Sequence, residues 1–119
     1  MRDDHAASDL SDDELEAIRD SVRALCQDFP GEYWRELDEK REYPTAFVTA
    51  MTEAGFMAAL IPEEYGGSGL GLTAACAILE EIHKSGCNAG ACHAQMYTMG
   101  TVLKHGSAEQ KQAWLPKVA

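Results

Sequence analysis

The sequence contains no run of eighteen apolar residues, so no membrane-spanning helix is expected. It is also short of bases, with ten Lys and Arg against twenty Asp and Glu and a net charge of −10. Nucleic acids and anionic membrane surfaces are held by clustered Lys and Arg, so both partner classes are disfavoured. The four cysteines, Cys26, Cys76, Cys87 and Cys92, form no Cys-x-x-Cys pair. The opening residues, Met1 to Asp9, are acidic and lack both the apolar core of a secretory signal and the Arg richness of a transit peptide. The expectation is a cytoplasmic protein with free thiols, Cys26 and Cys76 being small core residues. His83, Cys87, Cys92 and His93 match no common zinc spacing, so no metal site is expected.

What is present is an ordinary globular composition: 119 residues, 45% hydrophobic and 25% charged. That length implies one domain, which buries roughly two-thirds of the surface its unfolded chain exposes. The charge is uneven. Residues 1–43 carry six bases against fourteen acids, a balance of −8, while the remainder carries four against six, −2. Residues 1–10 read as a flexible acidic tail and 11–119 as the folded domain.

Helical signals fill that domain. Ser11-Asp12-Asp13-Glu14 is a capping box, with Leu10 and Leu15 placed as a hydrophobic staple. Leu15, Ile18, Val22, Leu25 and Phe29 then follow at gaps of three and four, the stripe of an amphipathic helix ended by Pro30-Gly31. A short charged helix is expected over 32–41 with Tyr33, Trp34 and Leu37 inward. A third runs from Pro44 or Thr45 to Ala54, with Phe47, Met51 and Ala54 buried and Gly55 as its cap. Phe56 to Ile61 is an apolar run whose periodicity leaves open a buried strand or a tucked-in extended segment. After a glycine-rich turn over 62–71, a fourth helix spans about 72–85 with Ile78, Leu79 and Ile82 in the core. A fifth spans about 88–105. Ser107 to Gln110 is a second capping box, opening a sixth that stops near Leu115-Pro116. The fold class is therefore all-α, a bundle of about five or six helices with short connections.

Few residues offer chemistry. Gly66 to Thr73 approximates a phosphate-binding loop, but Leu72 stands where its Lys belongs, Glu63-Glu64 precede it, and Gly67, Gly69 and Gly71 are wrongly spaced for a dinucleotide fingerprint. A tight structural turn is the better reading. Glu63-Glu64 and Glu80-Glu81 are adjacent pairs pointing to different faces, read as solvated or dipole-facing charge. The fifth helix is more informative. From Ser85 to Leu103 there is no Asp, Glu, Lys or Arg. Cys92, Met96, Met99 and Leu103 form one stripe, and Ala89, His93 and Tyr97 a second about a hundred degrees round. A helix without a charged face is normally covered on most sides, so either it is the central helix of the bundle, wrapped by its own domain, or its second side meets another domain, a subunit or an apolar ligand.

Three segments together resemble one family. Ile61-Pro62-Glu63-Glu64-Tyr65-Gly66-Gly67-Ser68-Gly69-Leu70, followed by Ala77-Ile78-Leu79-Glu80-Glu81-Ile82, is similar to the N-terminal helical domain of acyl-CoA dehydrogenases. Gly106-Ser107-Ala108-Glu109-Gln110-Lys111-Gln112-Ala113-Trp114-Leu115-Pro116 resembles that family's Gly-x-x-Glu-Gln-Lys-x-x-Trp/Tyr-Leu-Pro signature, and Tyr43-Pro44 with Ala54-Gly55-Phe56 its Pro and Gly-hydrophobic pattern. The resemblance covers about 11–119.

It implies the helical front third of an enzyme that continues, in the family, into a middle β-domain and a C-terminal helical domain, both absent from this chain. It implies oxidation of an acyl-CoA to the 2-enoyl-CoA by FAD in fatty-acid or amino-acid catabolism, electron-transfer flavoprotein as the electron acceptor, and a homotetramer. The family's base glutamate and most of its flavin contacts belong to those later domains, so no catalytic residue is assigned here and residues 1–119 alone are expected to be inactive. What carries over is the acyl pocket, whose lining positions fall on Ala89, His93, Met96 and Tyr97. Tyr97 shortens that pocket and favours short or branched acyl groups. Related flavoenzymes share this front domain, namely acyl-CoA oxidases, nitroalkane oxidases and flavin monooxygenases. A free-standing helical interaction module is the alternative from another class.

Overall fold

The computed structural model describes residues 10–119; of the expected tail only Leu10 falls among them, half-buried, and the rest lies outside the described residues. Six α-helices, two 3-10 turns and no strand make up the described chain. They are α1 (Asp12–Cys26), α2 (Gly31–Lys40), α3 (Thr45–Glu53), the 3-10 turns Phe56–Ala58 and Glu63–Tyr65, α4 (Leu72–Lys84), α5 (Gly90–His105) and α6 (Ala108–Val118). The all-α expectation holds.

Both capping boxes form. Ser11 Oγ accepts from the Glu14 amide at 3.0 Å while the Glu14 carboxylate accepts from the Ser11 amide at 2.8 Å. Ser107 and Gln110 repeat the exchange at 3.1 and 2.9 Å and start α6. Each box satisfies amides that a helix start otherwise leaves without partners. Past α3, Gly55 takes φ 88°, a left-handed conformation that costs a residue without a Cβ nothing.

The principal core gathers Val22 and Cys26 of α1, Phe47 and Met51 of α3, Ile78 and Ile82 of α4, and Cys92 and Met96 of α5. α1 lies along α4 as the most extensive helix pair. An edge-to-face chain of rings, Phe29–Tyr33, Tyr33–Trp34, Trp34–Phe47 and Phe29–Phe47, with centroids 5.0 to 5.3 Å apart, pins the α1–α2 connection onto α3. The Trp34 indole donates to the Phe29 carbonyl at 3.0 Å and the Tyr33 hydroxyl accepts from the Phe47 amide at 3.2 Å. A second cluster of Ala58, Ile61 and Leu115 joins α6 to the loops, with Met99, Val102 and Leu103 packed on it.

Several expectations are corrected. The α1 stripe packs as read, with Val22 buried and Ile18, Leu25 and Phe29 partly buried against the core, but the helix itself ends at Cys26 and Phe29 sits in the following turn. Phe56 to Ile61 is neither strand nor extended; it folds into a 3-10 turn, because no neighbouring strand offers it a ladder. Ala54 is exposed, since α3 ends before it. Cys76 is exposed on the outer side of α4, away from Ala75 and Ile78. α6 runs through Pro116, which sits in the last turn, where its missing N–H disrupts little of the helix.

Candidate functional site

The four candidate residues divide by direction. Ala89 is 1% exposed and Met96 5%, both in the principal core. His93 is exposed, Tyr97 is 60% exposed, and their rings meet edge-on with centroids 5.2 Å apart. Spacing puts Ala89 in line with His93 and Tyr97, yet Ala89 is the N-cap residue, with φ −91° and ψ 9°, ahead of the helix proper. Its side chain therefore follows the loop into the core while the next two members of the stripe stay on the helix exterior.

The first stripe faces the protein's own interior. Cys92 and Met96 fill the principal core, and Met99 and Leu103 pack half-buried on the second cluster. Gln95 Nε2 donates to the Met57 carbonyl at 2.7 Å, fixing α5 against the first 3-10 turn. The outer side of α5 thus presents an aromatic pair and neutral polar groups held by a rigidly packed inner side.

The glycine-rich segment forms no phosphate cradle. Its amides are spent on the chain itself: Gly67 on Pro62, Ser68 on Ala58, Gly69 on Ile61 and Leu70 on Ala59, at 2.7 to 3.1 Å. A Cβ on Gly67 would lie 2.1 Å from the Ile61 carbonyl oxygen, so glycine is required there for close backbone packing. This segment therefore has no cluster of free amides to offer the phosphates of a dinucleotide.

One ionic cluster escaped the sequence reading. Glu81 is 1% exposed and holds three cations. Arg19 Nη1 reaches its Oε2 at 2.9 Å, Arg23 Nη2 its Oε1 at 3.1 Å, and Lys84 Nζ lies 3.7 Å away. Arg19 also pairs with Glu80 at 2.6 Å and Arg23 with Asp20 at 2.7 Å. The hydrogen bond from Arg19, with those from Arg23 and the charges around it, holds the Glu81 carboxyl below the usual carboxylate range despite burial. A carboxylate whose two oxygens are both committed to guanidinium groups has no role as a general base. The available signal was Arg19 and Arg23 four apart on one face of α1, with Glu81 set between Ile78 and Ile82.

The Cys26 and Cys92 thiols are equally inert. Burial pushes Cys26 up to about 12, with Cys87 beside it adding to the shift, and burial alone pushes Cys92 up to about 11. Cys87 Sγ lies 3.5 Å from the Phe29 carbonyl oxygen. Among the described residues, no three His, Cys, Asp or Glu side chains come together as a metal site. A shallow groove of about 370 Å³ lies between α1 and α4, lined by Arg19, Leu72, Thr73, Cys76, Ala77 and Glu80; none of the four candidate residues borders it.

Comparison with known proteins identifies the class. Residues 12–119 match the family model for the acyl-CoA dehydrogenase N-terminal domain, and the chain belongs to that family. It is 36% identical over 109 residues to the probable acyl-CoA dehydrogenase fadE25 of Mycobacterium tuberculosis, an alignment covering 90% of this chain and 28% of the relative. It is also 36% identical over 109 residues to the mitochondrial short-chain specific acyl-CoA dehydrogenase of Mus musculus, covering 86% of this chain and 26% of that protein. The acyl-CoA dehydrogenase fadE12 of Mycobacterium tuberculosis is 28% identical over 111 residues, 92% and 29% of the two chains. The chain thus spans little more than a quarter of the length of these relatives. No solved structure matches it.

Proposed function

We propose that this chain is the N-terminal domain of an FAD-dependent acyl-CoA dehydrogenase, oxidising an acyl-CoA to the 2-enoyl-CoA, and that the outer side of α5 lines one wall of the acyl pocket. The observation that carries the reading is the direction of α5. Its outer side, free of charged residues as far as Leu103, holds His93 and Tyr97 exposed while its neighbours Cys92 and Met96 anchor it in the core. His93 and Tyr97 are the wall; Ala89 and Met96 are the packing behind it, which sets how far the wall stands from the ligand. Tyr97 limits depth and favours short or branched acyl groups.

In this reading the acid, the base and the hydride acceptor all come from outside this domain. Among the described residues the one buried carboxylate is saturated by arginines, and the Cys26 and Cys92 thiols are held protonated. FAD, whose isoalloxazine accepts the hydride when bound, belongs in this reading to the rest of the enzyme, as do the base and the docking surface for electron-transfer flavoprotein. The assembly proposed is a homotetramer. The compartment proposed is the cytoplasm, in keeping with four free thiols; no helix among the described residues is long and apolar enough to cross a membrane.

The test is kcat/KM over a series of straight and branched acyl-CoA substrates, Tyr97→Ala against wild type. One methylene in a hydrophobic pocket is worth about 1–3 kcal/mol of discrimination, so the length preference is expected to shift about ten-fold or more toward longer chains. A uniform change across the series would remove Tyr97 from the pocket. The isolated 119-residue polypeptide is expected to bind no flavin absorbance and to turn over no acyl-CoA.

A further inference from the structure

The side chains of α5 separate by chemistry as well as by direction. Its aliphatic and sulfur groups turn to the protein's own interior: Cys92 and Met96 in the principal core, Met99, Val102 and Leu103 against the second. Along the outer stripe stand His93, Tyr97 and Thr101, with open space above Gly100 beside them, and the stripe ends in the last turn at exposed Lys104. No aliphatic side chain larger than that of Ala94 stands among them. The Thr101 hydroxyl is turned back onto the Tyr97 carbonyl at 2.8 Å. Among the described residues, nothing bonds the His93 imidazole or the Tyr97 hydroxyl, while their rings hold each other edge-on.

A wall of this kind suits a plain alkyl chain poorly. Covering it with methylenes strips water from an imidazole and a phenol and returns no hydrogen bond, and a polar group buried without a partner is penalised more than a satisfied one is rewarded. A site that hydrogen-bonds a substrate oxygen, by contrast, discriminates strongly against the analogue that lacks it. We propose that the acyl group this face receives carries an oxygen function beyond its β-carbon, to which the Tyr97 hydroxyl and the His93 imidazole donate, rather than being an unsubstituted alkyl chain. The α- and β-carbons lose hydrogen in the oxidation, so the oxygen stands further along the chain. The inference rests on the reading of α5 as the acyl wall.

The test compares hexanoyl-CoA with 4-methoxybutanoyl-CoA, an isostere in which an ether oxygen replaces one methylene. It uses the flavin-loaded enzyme as its gene encodes it, with kcat/KM and the dissociation constant from direct titration as readouts. The expected result is a preference for the ether of about ten-fold or more, brought toward one by Tyr97→Phe and by His93→Leu. Both side chains are exposed, so the core is untouched by either change. A wild-type ratio at or below one overturns the proposal, and so does a preference that survives both substitutions. Tyr97→Ala on the length series separates the two levels. If it re-ranks chain lengths while the ether ratio stays at one, the acyl wall stands and the oxygen preference falls. If it changes every substrate alike, the wall reading falls and takes the oxygen preference with it.

Discussion

Met96 and Tyr97 are neighbours in sequence with opposite surroundings, and truncating each to alanine isolates the two sides of α5. Met96 is 5% exposed and packs with Cys92 and Ile78 in the principal core. Met96→Ala removes three heavy atoms' worth of buried contact and leaves a cavity, a loss of about 2–5 kcal/mol for this kind of substitution. Tyr97 is 60% exposed. Its ring contact with His93 belongs to a class worth about 0.5–1.5 kcal/mol, and exposure places it at the low end. Alanine's higher helix propensity returns about 0.5 kcal/mol. The net for Tyr97→Ala is within about 1 kcal/mol of wild type. Urea melts of the chain, compared at constant m-value, measure both directly. Each kcal/mol moves the melting temperature by several degrees at this size, so a thermal scan separates the pair as well. Equal losses, or a larger loss for Tyr97→Ala, would mean that Tyr97 is a core residue and that α5 has no outer face to offer a ligand.

Three further outcomes are expected. Ser11→Ala is expected to cost about 0.5–2 kcal/mol in a urea melt, since it removes the side-chain acceptor for the Glu14 amide at the start of α1. Alkylation with iodoacetamide near pH 8, followed by peptide mass mapping, is expected to label exposed Cys76 first and to spare Cys26 and Cys92 until the fold opens, because burial holds those two thiols protonated. Glu81 has a folded-state pKa below its unfolded value, so its ionised form stabilises the native state above about pH 4.5, and that contribution is lost as pH falls through the folded pKa. The urea midpoint of wild type is expected to drop in acid, and Glu81→Gln to lose most of that part of the drop while starting lower at neutral pH.

What was legible in the sequence was local or periodic. The capping boxes at Ser11 and Ser107 depend on residues three apart, and both formed. The left-handed turn at Gly55 is likewise a single-residue preference. What was illegible depended on which elements meet. Phe56 to Ile61 carries no period, and only its packing against α3 and α5 makes it a turn. Glu81 reads as surface charge beside Glu80 until α1 delivers Arg19 and Arg23 to it, and Cys76 reads as core until α4 is rotated by the contacts of Ala75 and Ile78. Ala89, His93 and Tyr97 share a stripe only while the helix is assumed to include Ala89.

The candidate site sits on that same boundary between local and tertiary information. The absence of charge over Ser85 to Leu103 is visible without any fold, and it marks a helix that avoids charge on both sides until Lys104 in its last turn. The fold accounts for one side only: Cys92, Met96, Met99 and Leu103 are neutral because they pack against the protein's own interior. His93 and Tyr97 meet no such demand in this chain, and a solvated helix face ordinarily carries Lys, Glu or Arg. Their neutrality is what a face requires when it is to be covered by a ligand or by the remainder of an enzyme, where an unpaired charge would be costly and an imidazole and a phenol can still find partners. In the proposed reading, the rings of His93 and Tyr97, held edge-on above a well-packed helix, are the part of this domain on which a choice between substrates would act.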